Sequence, residues 1–155
     1  MRRILFLLAM SVLTSAPVAA SPSDDATKAV MTVLDKFNGG DVQAFFAAHK
    51  PDATIVDEFA PYIWTGTGSA QRWAGDYTKD AEARGISKGR VDYGKPIQAN
   101  SDGNSAYIVL PTTYSFDQKG RKMAAKGSMT FIMAKADTDW KIVSWTYSAP
   151  TPTPQ

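Results

Sequence analysis

The sequence predicts an α+β fold in which a cone-shaped, curved antiparallel β-sheet wraps around three N-terminal helices. The first half of the chain has three stretches with helical periodicity and one short strand. From Arg90 onward, apolar and polar residues alternate with period two over four segments separated by turn residues. Helices followed by an antiparallel meander are typical of an α+β domain.

The first twenty residues are predicted to be a signal peptide. Arg2 and Arg3 form a basic start, the apolar run over 4–13 is shorter than the ~20 residues of a membrane span, and small residues end at Ala20. Cleavage after Ala20 predicts a periplasmic or secreted domain over 21–149 with no remaining membrane span. Residues 150–155 alternate Thr and Pro, which predicts a disordered tail.

Charge and composition exclude several classes of function. The whole chain has 17 basic and 15 acidic residues, and removing Arg2 and Arg3 leaves 15 of each. A formally neutral domain lacks the basic surface of a nucleic-acid-binding protein. With one histidine and no cysteine, a zinc site or a disulfide framework is not expected. No cofactor-binding motif is present either.

Cap residues and apolar stripes define the three helices. Asp24 and Asp25 suit an N-terminus, and Gly39 and Gly40 suit the end of a first helix whose inward stripe is Val30, Val33, Leu34 and Phe37. Asp41 caps a second helix that Pro51 ends. The third helix runs over 69–84 and stops at Gly85, with Ala70, Trp73 and Tyr77 facing inward.

The strands follow from alternation and turn chemistry. One strand is predicted over 53–59, and four more over 90–99, 105–116, 121–135 and 140–148. Pro96 and Pro111 lack an amide donor, so each is expected at an edge or a bulge.

A cone of this kind is expected to hold a blind cavity where a small, largely apolar molecule binds. Trp64 is placed at the cavity mouth because its loop is bounded by Pro61 and Gly66. The predicted ligand-binding residues are Val33, Phe37, Trp64, Trp73, Tyr77, Tyr114, Met129, Phe131 and Trp145, and Tyr147 belongs to the same aromatic set.

The stretch NGGDVQAFFAAHKPDATIVD and the closing strand DWKIVSWTY resemble the nuclear transport factor 2-like superfamily, in its SnoaL-like branch that includes ketosteroid isomerase. The resemblance implies a conical fold that usually forms a homodimer through its sheet. It places Asp57 where ketosteroid isomerase has its general base. The two oxyanion donors of that enzyme correspond to Val33 and Met129, which argues against steroid isomerisation because loss of even one such donor costs about 100-fold to 1000-fold.

Asp57 and His49 are the candidate catalytic residues. Asp57 among apolar walls would have a raised pKa and could act as a base near neutral pH. The alternative is that Asp57 caps the next loop or pairs with a cation. His49, eight residues earlier, could form a His–Asp pair with it, or could make a purely structural charge–dipole contact at the end of the second helix.

The sequence leaves three functions open. The first is binding of a small apolar molecule. The second is a cofactor-independent lyase, isomerase or hydrolase with Asp57 as base, assisted by His49 and a tyrosine hydroxyl. The third is a non-catalytic dimerisation or accessory module with a filled cavity.

The export prediction has a direct test in the mass of the mature protein. Protein recovered outside the cytoplasm should begin at Ser21 or within one or two residues of it. Full-length chain recovered in the membrane fraction would contradict the prediction.

Overall fold

The structure is a computed structural model that describes residues 21–155. The predicted signal peptide falls on residues 1–20 and lies outside the described residues. Between residues 21 and 155, no helix is both long enough and apolar enough to cross a membrane.

Three helices form where the cap residues predict them. Helix α1, Pro22–Asn38, starts with a capping box in which Ser21 and Asp24 each accept the other's backbone N–H. Helix α2, Val42–Ala48, is capped by Asp41, whose carboxylate accepts the N–H of Ala44. Helix α3, Ser69–Arg84, ends at Gly85, which adopts the left-handed conformation that glycine tolerates best.

The strands form one curved, mixed sheet. In chain order the strands are β1 His49–Val56, β2 Ile63–Trp64, β3 Ile86–Tyr93, β4 Gln98–Ser101, β5 Ser105–Gln118, β6 Arg121–Ala136, β7 Asp139–Ser148 and β8 Thr153–Pro154. The order across the sheet is β2-β1-β7-β6-β5-β3, with β4 also pairing with β5 and β8 with β6. Only β1 and β7 pair in parallel; the other described pairs are antiparallel. The predicted α+β cone is confirmed, with a mixed rather than purely antiparallel sheet.

The predicted strand over 90–99 is two strands in the structure. Strand β3 ends at Tyr93 and β4 begins at Gln98, and both pair with β5. Pro96 lies in the interruption, where a residue without an amide donor disrupts no ladder. Pro111 of β5 lies at the gap between the two edge strands, since its neighbours Thr112 and Val109 pair with β3 and β4.

Alternation along the long strands separates the core face from the outer face. On β5 the even-numbered Ile108, Leu110 and Phe116 are buried, and on β6 the odd-numbered Met129 and Phe131 are buried. Except for Phe116, these side chains pack with the apolar stripe of α1, including Val30 and Leu34, in one core cluster. The concave face of the sheet therefore meets the helices, and the other face is left open.

The C-terminal tail is attached to the sheet, unlike the disordered tail expected over 150–155. The N–H of Ala149 donates to the Glu58 carboxylate at 2.6 Å, and β8 pairs with Met123 and Ala124 of β6. The N–H of Gln155 donates to the carbonyl of Lys122 at 3.0 Å. The Thr/Pro composition of the tail predicts disorder, and it does not reveal these contacts because the partner residues lie far away in the sequence.

Candidate functional site

A cavity of about 470 Å³ opens between the concave sheet face, α1, α3 and the tail. Aromatic and aliphatic side chains make up most of its wall. Six of the predicted ligand-binding residues line the cavity, namely Phe37, Trp73, Tyr77, Tyr114, Met129 and Trp145. Their binding of a ligand stays a prediction.

Three predicted ligand-binding residues, Val33, Trp64 and Phe131, do not line the cavity. Trp64 is only 3% exposed and lies in the two-residue strand β2, opposite Ile55. Its indole N–H donates to Asp76 at 3.0 Å and its ring packs on Phe59. The expected position at the cavity mouth is wrong, because pairing with β1 turns this loop residue into a core residue. Val33 and Phe131 are likewise buried in the core.

Asp57 lies just past the end of β1, at the cavity wall. One carboxylate oxygen accepts the indole N–H of Trp73 at 2.9 Å, and the other accepts the backbone N–H of Glu58 at 2.7 Å. No ion pair within residues 21–155 involves Asp57. Burial raises the pKa of Asp57 to about 6, against the two hydrogen bonds, which favour the charged form. The expected loop-capping contact is therefore present, but desolvation dominates.

Three tyrosines line the same cavity. The hydroxyls of Tyr77 and Tyr114 lie 2.8 Å apart and share a hydrogen bond. The hydroxyl of Tyr147 is buried and has no hydrogen-bond partner among the described residues. Burial raises the pKa of all three phenols, so each stays protonated and can donate.

An aromatic cluster supports the Asp57 carboxylate. The Trp73 ring stacks on Tyr77 with centroids 5.4 Å apart, and Trp145 meets it edge-on at 5.0 Å. Phe37 and Phe45 also pack against Trp73. These contacts fix the indole whose N–H binds Asp57.

His49 has a structural role and lies outside the cavity wall. Its Nε2 accepts the indole N–H of Trp145 at 3.0 Å, so the proton is on Nδ1, which donates to the carbonyl of Phe45 at 2.7 Å. Burial lowers the pKa of His49 to about 4, so the ring is neutral at pH 7. The expected charge–dipole contact and the His–Asp pair are both wrong, because burial removes the charge and both ring nitrogens are already bonded.

Charged residues at the cavity were missed by the sequence reasoning. Glu58 lines the cavity together with Asp80 and Arg84, which form an ion pair at 3.0 Å. Helical spacing could have located the last two, because positions 80 and 84 share the face of α3 that carries Trp73 and Tyr77. Across residues 21–155, no group of three or more potential ligand side chains could hold a metal ion.

A family model described as the SnoaL-like domain matches residues 27–152. The chain belongs to the SnoaL-like family. No curated protein sequence matches the chain.

Solved structures share the fold at low sequence identity. A ketosteroid isomerase-like protein from Erwinia carotovora atroseptica SCRI1043 is 18% identical, with a TM-score of 0.64, over 83% of this chain and 95% of that one. A hexachlorocyclohexane dehydrochlorinase, LinA type 2, is 10% identical, with a TM-score of 0.68, over 84% and 86%. The CaMKII hub of S. rosetta is 16% identical, with a TM-score of 0.67, over 86% and 100%. At these identities the likeness shows the fold.

We predict that replacing Asp57 by Asn stabilises the domain more at pH 7 than at pH 4. A carboxyl whose folded-state pKa is raised from 3.8 to about 6 costs stability as pH rises between those values, and the full cost is present above pH 6. The increase in unfolding free energy caused by Asp57→Asn, relative to the wild-type protein, should be about 2 kcal/mol larger at pH 7 than at pH 4.

Urea denaturation of both proteins at the two pH values measures this difference. Asp52→Asn is the matched control, since Asp52 is exposed on the same strand and does not line the cavity. A stabilisation by Asp57→Asn that does not depend on pH, or that is smaller at pH 7 than at pH 4, would contradict the raised pKa.

Proposed function

We propose that this domain binds a small, largely apolar molecule in its conical cavity. The observation that carries the proposal is an open cavity of about 470 Å³, within the usual range of ligand pockets, with aromatic walls and a few converging polar groups. Trp73, Tyr77 and Tyr114 would contact the apolar body of the ligand. Asp57 and the Tyr147 hydroxyl would orient its polar atoms.

The second candidate is a cofactor-independent lyase, isomerase or hydrolase with Asp57 as general base. A base with a pKa of about 6 is largely ionised at neutral pH and still accepts a proton from a weakly acidic C–H or from water. The Tyr147 hydroxyl, without a protein partner, would donate a hydrogen bond to an oxygen that gains negative charge. Tyr147 lies at neither of the two oxyanion-donor positions that the ketosteroid isomerase resemblance indicates, which are occupied by Val33 and Met129.

The similar structures support chemistry on this fold without assigning it to this chain. One is named a hexachlorocyclohexane dehydrochlorinase and another a ketosteroid isomerase-like protein. A third is named a kinase hub, which favours the dimerisation or accessory role as a further option. That option assumed a cavity filled by side chains, and the open cavity argues against this part of it.

Ligand binding and turnover can be separated with one set of variants. A library of small apolar carbonyl, epoxide and halide compounds is screened by quenching of tryptophan fluorescence, since Trp73 and Trp145 line the cavity. Hits are then assayed for product. A base mechanism predicts at least a hundredfold loss of turnover in Asp57→Asn and a smaller loss in Tyr147→Phe, with Asp52→Asn unchanged.

The outcomes distinguish the candidates. Binding without turnover in the wild-type protein would identify a binding domain and remove the base mechanism. Turnover that survives in Asp57→Asn would remove Asp57 from the mechanism. Failure of every compound to bind would contradict the proposed function.

We also propose that the domain forms a homodimer through the outer face of the sheet. On β6, Ser128 and Thr130 face away from the cavity, since their neighbour Met129 lines it, and the same face carries Ser148 and Thr146 of β7 opposite them. Lys122 and Lys126 are the charged residues of β6 on this face, and both are exposed. An outer sheet face with few charges suits contact with a second copy.

Sedimentation at micromolar concentration tests the dimer. The wild-type protein should sediment as a dimer and Thr130→Arg as a monomer, because the bulky charge lies at the centre of the face. Gln71→Arg, on the exposed surface of α3, is the control and should stay dimeric. A wild-type protein that is strictly monomeric would contradict the proposal.

The exported location stays a prediction from residues 1–20.

A further inference from the structure

The charged groups of the cavity are mostly acidic. Among the residues that line it, three carry carboxylates, namely Asp57, Glu58 and Asp80, and one, Arg84, carries a positive charge. The Arg84 guanidinium lies 3.0 Å from the Asp80 carboxylate, so its charge is already paired. Within residues 21–155, no lysine lines the cavity. A ligand in the cavity therefore meets an excess of negative charge.

Asp57 is the carboxylate that lies deepest in the aromatic wall, and it has no cationic partner. Its two hydrogen bonds come from the neutral donors Trp73 and the Glu58 backbone. A half-buried carboxylate held by neutral donors alone is left with an uncompensated charge, which is costly in a poorly hydrated site. A cation brought in by a ligand would compensate that charge.

The surrounding rings offer a second source of attraction to a cation. Trp73 and Tyr77 are stacked within the cavity wall, and Tyr114 and Tyr147 meet edge-on with centroids 6.4 Å apart. The faces of tryptophan and tyrosine rings attract ammonium groups, most strongly where water is excluded. Aromatic rings around a carboxylate are suited to an organic ammonium ion and unsuited to an anion.

We propose that the ligand of this cavity carries a positive charge, in the form of an amine or quaternary ammonium group that sits on the Asp57 carboxylate and against the rings of Trp73 and Tyr77. The inference rests on the proposed function and narrows it from an apolar molecule to an apolar organic cation. The apolar part of the ligand fills the rest of the cavity towards Phe37 and Met129.

The pH dependence of binding follows from the groups that face Asp57. From α3 these are Tyr77, Asp80 and Arg84, from β7 Tyr147, and beside it in the chain Glu58. Burial keeps the two phenols protonated at neutral pH. The pKa of Asp57 is about 6, so a ligand of fixed charge should bind well above pH 6 and lose affinity as the carboxylate is protonated below it.

Phenyltrimethylammonium and tert-butylbenzene test the inference, because they have nearly the same shape and differ in charge. Binding of each to the full mature protein is followed by quenching of tryptophan fluorescence at pH 7.5 and pH 4.5. We expect the cation to bind at least about tenfold more tightly than the neutral compound at pH 7.5, and this preference to fall several-fold at pH 4.5. Asp57→Asn should lower the preference at pH 7.5 to about the value of the wild-type protein at pH 4.5, and Asp52→Asn should keep it.

The result that overturns the inference differs from the one that overturns the proposed function. If the neutral compound binds as tightly as the cation at pH 7.5, the cation preference is wrong while ligand binding stands. If Asp57→Asn keeps the full preference for the cation, or if this preference does not change with pH in the wild-type protein, Asp57 is not its source. If neither compound binds at millimolar concentration, the cation site and its proposed occupancy both fail.

Discussion

The site depends on one interaction, the hydrogen bond at 2.9 Å between the Trp73 indole and the Asp57 carboxylate. It joins the end of β1 to the inner face of α3 at the point where the cone opens. Without this donor, Asp57 would have only the adjacent Glu58 N–H to stabilise its charge. With both hydrogen bonds, the carboxylate lies in an apolar wall and has a pKa of about 6. It is therefore largely ionised at neutral pH and becomes protonated in mildly acidic solution.

A second layer of contacts fixes Trp73 in turn. Trp145 meets it edge-on, and the indole N–H of Trp145 is held by the neutral ring of His49, which is itself tied to the carbonyl of Phe45 at the end of α2. The only histidine of the sequence is thus connected to the carboxylate through three contacts, by way of Trp145 and Trp73. It positions an aromatic wall, with both ring nitrogens bonded and a pKa of about 4 that leaves the ring neutral at pH 7.

Local signals in the sequence predicted most of the fold. Helices α1 and α2 begin at Ser21 and Asp41, and α1 and α3 end at glycines, whose capping chemistry acts within a turn. Helix α3 has the predicted bounds, 69–84. Alternation gave the faces of β5 and β6 correctly. The interrupted strand around Pro96 and the parallel pairing of β1 with β7 were not predicted, because pairing partners far away in the sequence decide them.

The candidate site was predicted in part for the same reason. The face of α3 is placed at the cavity by helix periodicity, which is local, and Asp57 is placed there by the resemblance to ketosteroid isomerase. Trp64 was misplaced because a two-residue strand buries it, and His49 because its partner Trp145 lies 96 residues away. The tail at 149–155 and its anchor on Glu58 come from tertiary contacts that composition does not reveal.

The pKa of Asp57 is the quantity that tests this account most directly. Side-chain carboxyl carbons of aspartate report their own titration by carbon NMR, and the Asp57→Asn protein identifies the signal of Asp57 by its absence. The account predicts a midpoint near 6, well above the 3.8 of an ordinary aspartate. A midpoint at or below 3.8 would show that hydrogen bonds or an ion pair outweigh burial, and would contradict a site built on a desolvated carboxylate.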